Sequence, residues 1–145
     1  MMDVVEGQAI PNRRVTVNRE GMKSMAVMLR DPNPIHWDVD VLRALGMDQR
    51  PVNQGPTNLA YVWDALTDWT GSIGAVKSVS VRFISNALSD EELTSGGTVE
   101  TIDEATSTAT CSVWLRHADS SPVLTGRAVV DVAAIDRVGP RQRTP

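Results

Sequence analysis

The stretch Gly55-Pro-Thr-Asn-Leu-Ala-Tyr-Val-Trp-Asp-Ala-Leu-Thr-Asp-Trp-Thr-Gly71 decides the fold class. Gly55-Pro56 reads as a helix start, with proline at the first helical position, where its missing N–H is harmless. Leu59, Val62, Trp63 and Leu66 recur at spacings of three and four and form one apolar stripe, which Trp69 extends before Gly71 stops the helix. Tyr61, Asp64 and Asp68 fall toward other faces. The spacing predicts one long, buried helix.

Downstream, the period drops to two. Val79, Val81 and Phe83 alternate with Ser80 and Arg82, and Ala109, Cys111, Val113 and Leu115 alternate with Thr110, Ser112 and Trp114, both strand patterns. Further strands are expected near Gly97 to Ile102 and Val123 to Ala134, with Ala118 to Pro122 as a turn. Ser85 to Ser95 is polar and acidic and reads as loop. One long helix followed by about four antiparallel strands gives an α+β domain, the helix packed on one face of the sheet. Such a sheet has exposed edges, and pairing two subunits is a common way to cover them.

Upstream, Arg14 to Asn18 is a short β-prone stretch with Val15 and Val17 on one face. Asn18 caps a helix carrying Met22, Met25, Ala26 and Leu29, with the methionines Met22, Met25 and Met28 read as core. Asp31-Pro32-Asn33-Pro34 ends it, because two prolines remove donors and push the preceding residues out of the helical region. Asp38 caps a second short helix through Val41, Leu42 and Leu45, closed by Gly46.

The chain has 145 residues and a formal charge of -4, with 41% hydrophobic and 22% charged residues. That is one domain, assigned to residues 1–138 with a frayed basic tail at 139–145, and it lacks the basic surface that nucleic acids require. No apolar run approaches a membrane span, and the N-terminus lacks the features of a secretory signal, so a soluble cytoplasmic protein is expected. A single cysteine excludes an intrachain disulfide, and two histidines leave too few ligands for a structural zinc site, so no metal is expected. Phosphate-binding glycine loops and the Gly-x-Ser-x-Gly elbow are missing. Chemistry is left to carboxylates, one or two histidines and backbone dipoles.

The informative segment is Asp31-Pro32-Asn33-Pro34-Ile35-His36-Trp37-Asp38. On a continuous helix Asp31 and His36 would point about 140° apart. The prolines forbid that helix and hold a rigid irregular loop from which both side chains could turn into one pocket. A positioned carboxylate activates water as general base, and an imidazole supplies the second proton. The same segment also reads as plain turn chemistry, with Asp31 closing a helix end and His36 packed on Trp37. At Gln54-Gly55-Pro56 the helix N-terminus offers a free donor to developing negative charge, and because Pro56 donates nothing, Gly55 is the donor. Cys111 reads as a small buried hydrophobe, His117 as solvated beside a turn, and Asp90-Glu91-Glu92 as exposed loop.

Asp31-x-Asn33-Pro34-Ile35-His36 resembles, without a gap, the Asp-x-Asn-Pro-aliphatic-His motif of the MaoC-like (R)-specific hydratase/dehydratase family. The spacing to Gly55, the helix to Trp69, the Val79-to-Phe83 strand and Gly126 to Val130 are similar to that family's order. The resemblance implies a hot-dog fold, a long central helix wrapped by an antiparallel sheet and paired as a dimer. It also implies reversible syn hydration of a trans-2-enoyl thioester, CoA first among the carriers, to the (3R)-hydroxyacyl thioester, without metal or cofactor. By position, Asp31 would activate water, His36 would protonate the α-carbon, Asn33 would orient the pair or the water, and Gly55 N–H would bind the thioester carbonyl. Gln54, Pro56, Leu59, Ala60 and Trp63 would line the acyl site. Asn33 to Asp38 and Thr67-Asp68-Trp69 resemble the catalytic subunit of two-subunit hydroxyacyl-carrier-protein dehydratases. Val52-Asn53 and Leu66 to Lys77 resemble a subunit of steroid side-chain hydratases. The partner would thus be an identical or a different hot-dog chain. The chain departs from the family at Gln54, at Pro56, at Arg30 and at Ala60, and the family's Pro-Val-x-x-Gly-Asp stretch is not recognised in Asn86 to Thr94. A non-catalytic or half-catalytic subunit and a thioesterase are the alternatives.

Overall fold

The structure, a computed structural model, describes residues 4–135, so the expected tail at 139–145 and the two ends of the 1–138 domain lie outside the described residues. Among the described residues, five strands form one antiparallel sheet: β1 (Ala9–Thr16), β2 (Val76–Phe83), β3 (Glu92–Asp103), β4 (Thr108–Arg116) and β5 (Pro122–Asp131), in the order β1-β3-β4-β5-β2. They are accompanied by the helices α1 (Arg19–Leu29), α2 (Val39–Ala44), α3 (Gly55–Thr70) and the short α4 (Val132–Ile135).

The sheet packs against α3, which lies against β1, β2, β3 and β4. Asn58, Val62, Ala65, Leu66, Trp69 and Thr70 are its buried residues. Val62, Leu66 and Trp69 lie on the expected face. Leu59 and Trp63 sit instead at its margin, half-buried. Burying Val62 or Leu66 contributes about 1.5–3 kcal/mol each. Gly71 ends α3 in the left-handed conformation at φ 73, where a side chain would be strained.

On β4 the strict alternation holds, with Ala109, Cys111, Val113 and Leu115 buried. Burial pushes the Cys111 thiol up to about 11. We therefore expect Cys111 to resist a thiol-specific disulfide reagent at about pH 8 in the native protein and to react fully in denaturant, since the thiolate is the nucleophile. Rapid native labelling would refute this placement.

Several expectations change. The first strand starts at Ala9 rather than Arg14, and a fifth strand results. β3 begins at Glu92, not near Gly97, and pairs Glu92 with Thr16; its buried Leu93 and Ser95 alternate with polar neighbours, which disguises it as loop. β5 ends at Asp131, whose carboxylate accepts from the Ala134 N–H at 3.2 Å and starts α4. On α1 only Met22 of the three methionines is buried, and Met28 is 76% exposed, because α1 rests on the domain along one narrow line. The helix caps follow the reading: Asn18 Oδ1 accepts from the Glu20 and Gly21 N–H groups, and Asp38 Oδ1 from those of Asp40 and Val41.

Candidate active site

α1 ends because Arg30 turns into the left-handed region at φ 51. The Asp31 N–H still reaches back to the Ala26 carbonyl at 2.9 Å, so Asp31 is the first residue whose side chain is free of the helix. Its Oδ1 accepts from the Asn33 N–H at 3.0 Å, the local turn that aspartate favours. Asn33 Oδ1 in turn accepts from the Ile35 N–H at 3.3 Å and caps one 3₁₀ turn, Pro34–His36. In this conformation Asn33 shapes the loop, and its side chain does not contact Asp31 or His36 by hydrogen bond.

That turn drives His36 inward, to 7% exposure. Ile35 O accepts from the Val52 N–H at 3.0 Å, and His36 Nδ1 donates to the Val52 carbonyl at 2.6 Å. The ring is therefore fixed at one edge, and its other nitrogen, Nε2, stands 3.2 Å from Asp31 Oδ2. The Asp31 side chain remains one-third exposed. Asp31 serves the turn with one oxygen and faces the imidazole with the other. Trp37 is exposed and does not bury His36.

The Val52 carbonyl carries no sequence signal, since any residue has one. Three residues on, Gly55 opens α3, no more than about 11 Å of chain away. Among the described residues no acceptor takes the Gly55 N–H, while the Gln54 carbonyl already accepts from Thr57 and Asn58, each at 3.1 Å. A Cβ at Gly55 would come within 3.3 Å of the Phe83 ring, so the glycine lets that ring stand close over the helix start.

Gln54, expected at the acyl site, is packed between α1 and the start of α3. It is 1% exposed, and its Nε2 donates to the Met22 carbonyl at 2.8 Å, which ties α1 to the start of α3. Its Oε1 is buried without a hydrogen-bond partner among the described residues. Pro56 and Ala60 are exposed, and Leu59 and Trp63 are half-buried on the outer flank of α3. The open groove that Asp31 lines, about 460 Å³, is instead walled by Lys23, Ala26, Val27, Arg30, Pro32 and Trp37. Lys23, Arg30 and Trp37 are not among the expected site residues, and their exposure on the α1 side cannot be read locally. No group of three or more His, Cys, Asp or Glu residues able to hold a metal occurs among the described residues, and no helix there is long and apolar enough to cross a membrane.

Neither a protein-family model nor a curated protein matches this chain. Solved structures do. An (R)-hydratase from A. caviae involved in PHA biosynthesis superposes with a TM-score of 0.79 at 20% identity, over 91% of this chain and 99% of that one. The ChsH1-ChsH2 complex from Mycobacterium tuberculosis gives 0.75 at 21%, over 89% and 98%. A MaoC-like dehydratase gives 0.81 at 22%, over 88% of this chain and 40% of its own length. The fold is the hot-dog fold, and two of these neighbours, the (R)-hydratase and the MaoC-like dehydratase, carry names that match the family the sequence resembles.

Proposed function

We propose that this chain is a hydro-lyase of the MaoC-like type, adding water to a trans-2-enoyl thioester or removing it from the (3R)-hydroxy product. The observation that carries the reading is the Asp31 Oδ2 to His36 Nε2 contact of 3.2 Å, with His36 locked through Nδ1 and Asp31 open to a groove. His36 Nε2 thus faces Asp31 Oδ2 on a ring that its Nδ1 bond keeps from rotating away. In hydration, Asp31 removes a proton from water as the water oxygen bonds to the β-carbon. The electron pair moves to the thioester oxygen, held by the Gly55 N–H, which meets no acceptor among the described residues, and by the N-terminal dipole of α3. The proton that Asp31 takes from water passes across the 3.2 Å contact to His36 Nε2, which delivers it to the α-carbon. The water oxygen and the proton enter from the one face on which Asp31 and His36 stand, which makes the addition syn. No residue here needs a metal or an organic cofactor for these steps.

The outer flank of α3, with Pro56, Leu59, Ala60 and Trp63, and the half-exposed Phe83 and Ile84 at the end of β2 form an apolar surface in the single chain. β2 is an edge strand. These features support a second hot-dog chain, identical or different, as the partner that completes the acyl site. Acyl-CoA is the substrate we would test first, and an acyl carrier protein thioester second.

The test is the purified protein with short and bulky trans-2-enoyl-CoA, following loss of the conjugated thioester absorbance with free thiol assayed in parallel. Hydration without thiol release supports the reading, and thiol release replaces it with hydrolysis. His36→Ala should lower turnover by about 10²-fold or more, the usual contribution of a positioned general acid. A loss below about 5-fold would assign the proton to another group.

A further inference from the structure

The second histidine is not solvated. His117, which follows β4, is 17% exposed, and its Nδ1 donates to Glu91 Oε1, itself on a side chain only 20% exposed. Its Nε2 lies 2.8 Å from Ser85 Oγ, and that hydroxyl donates to the Pro122 carbonyl at 2.8 Å. A hydroxyl, an imidazole and a carboxylate in series suggest a nucleophile relay. Here, however, the Pro122 carbonyl stands as close to the hydroxyl as the ring does and competes for its single hydrogen, which ties Ser85 to the backbone.

The trio instead clasps the connection between β2 and β3. Ser85 stands at its beginning and Glu91 at its end, and His117 joins both to the turn between β4 and β5. Glu91 Oε2 accepts from the Leu88 N–H at 3.0 Å. Leu88 forms the β-bridge with Val52, and the flanking bonds, Asn53 N–H to Ala87 O at 2.8 Å and Ser89 N–H to Pro51 O at 2.9 Å, bind the same two segments. Asp90 closes this loop with a left-handed backbone at φ 64. Val52 is the residue whose carbonyl holds His36.

We propose that His117, with Glu91 and Ser85, is a positioning element for His36, acting through Leu88 and Val52 to hold the ring in register with Asp31. The inference rests on the acid role given to His36 above. Its consequence is that a residue outside the groove controls how firmly the His36 Nδ1–H is held, since hydrogen bonds in series set one another's geometry.

The experiment is imidazole nitrogen–proton NMR on the full chain. It has two histidines, so each ring is assigned by removing the other. His117→Ala, and separately Ser85→Ala, should shift or broaden the His36 Nδ1–H resonance and speed its solvent exchange, with the melting temperature nearly unchanged for Ser85→Ala. Where hydration is measurable, His117→Ala should lower kcat on the order of 10-fold with KM within about twofold, as expected for a displaced catalytic group. The NMR readout stands whether or not the protein hydrates enoyl thioesters, so a failed assay with a shifted resonance would count against the reaction and not against the coupling. An unchanged His36 resonance in both variants would overturn the proposal. So would Ser85-dependent hydrolysis of an activated ester, which would give the trio its own chemistry.

Discussion

Asp31→Asn should reduce enoyl-thioester hydration by about 10³-fold, within the range for loss of a positioned base, while leaving the fold unchanged. The structural half of this expectation follows from the turn. The substituted amide would keep an oxygen to accept from the Asn33 N–H, the bond that Asp31 Oδ1 makes at 3.0 Å, and its nitrogen would donate to His36 Nε2 where Oδ2 now stands at 3.2 Å. The chemical half follows from the amide's inability to take a proton from water. The check is turnover beside circular dichroism and melting temperature on the same preparation. Retention of more than about a tenth of the rate in a natively folded variant would remove Asp31 as the base.

Gly126→Ala should be among the most destabilising single substitutions in the sheet. Gly126 lies on β5 between Val81 of β2 and Val113 of β4. A Cβ there would come within 2.1 Å of the Ser80 carbonyl oxygen and 2.8 Å of the Val81 Cα. Both are backbone atoms, so no side-chain rotation relieves the clash, and β2 must move off its partner. We expect a loss of about 3 kcal/mol, at the upper end for overpacking, read as a melting temperature lower by about 10 °C. A shift under about 2 °C would show that β2 separates from β5 at this point without cost. Because β2 carries Phe83 over Gly55, activity should fall with stability.

The two histidines illustrate how far residue order reaches. Asp31 and His36 are recognisable from a motif of six adjacent residues, in which prolines and asparagine act on their immediate neighbours. His117 reads as solvated because Glu91, its partner, is 26 positions away. The connection from Asn86 to Glu91 resists recognition for a local reason: Asp90 adopts at φ 64 the backbone that a glycine would advertise. Gln54 falls at an acyl-site position by its place in the chain, and only the crossing of α1 over the start of α3 turns its amide to the Met22 carbonyl.

Residue order is enough to specify the caps at Asn18 and Asp38, the span of α3 from Gly55 to Gly71, the alternation of β4 and the irregular loop from Asp31 to His36. Each of these is governed by forces acting within a turn of helix or between next-nearest residues of a strand, so neighbouring residues suffice. Long-range packing selects which face of α1 is buried and where β3 begins. It also brings up the Val52 carbonyl, sixteen residues away, to orient His36, and it opens a groove beside α1 that reaches Asp31. Those outcomes depend on burial and hydrogen bonds between segments distant in sequence, and a backbone carbonyl, present on every residue, leaves no mark in the order of side chains.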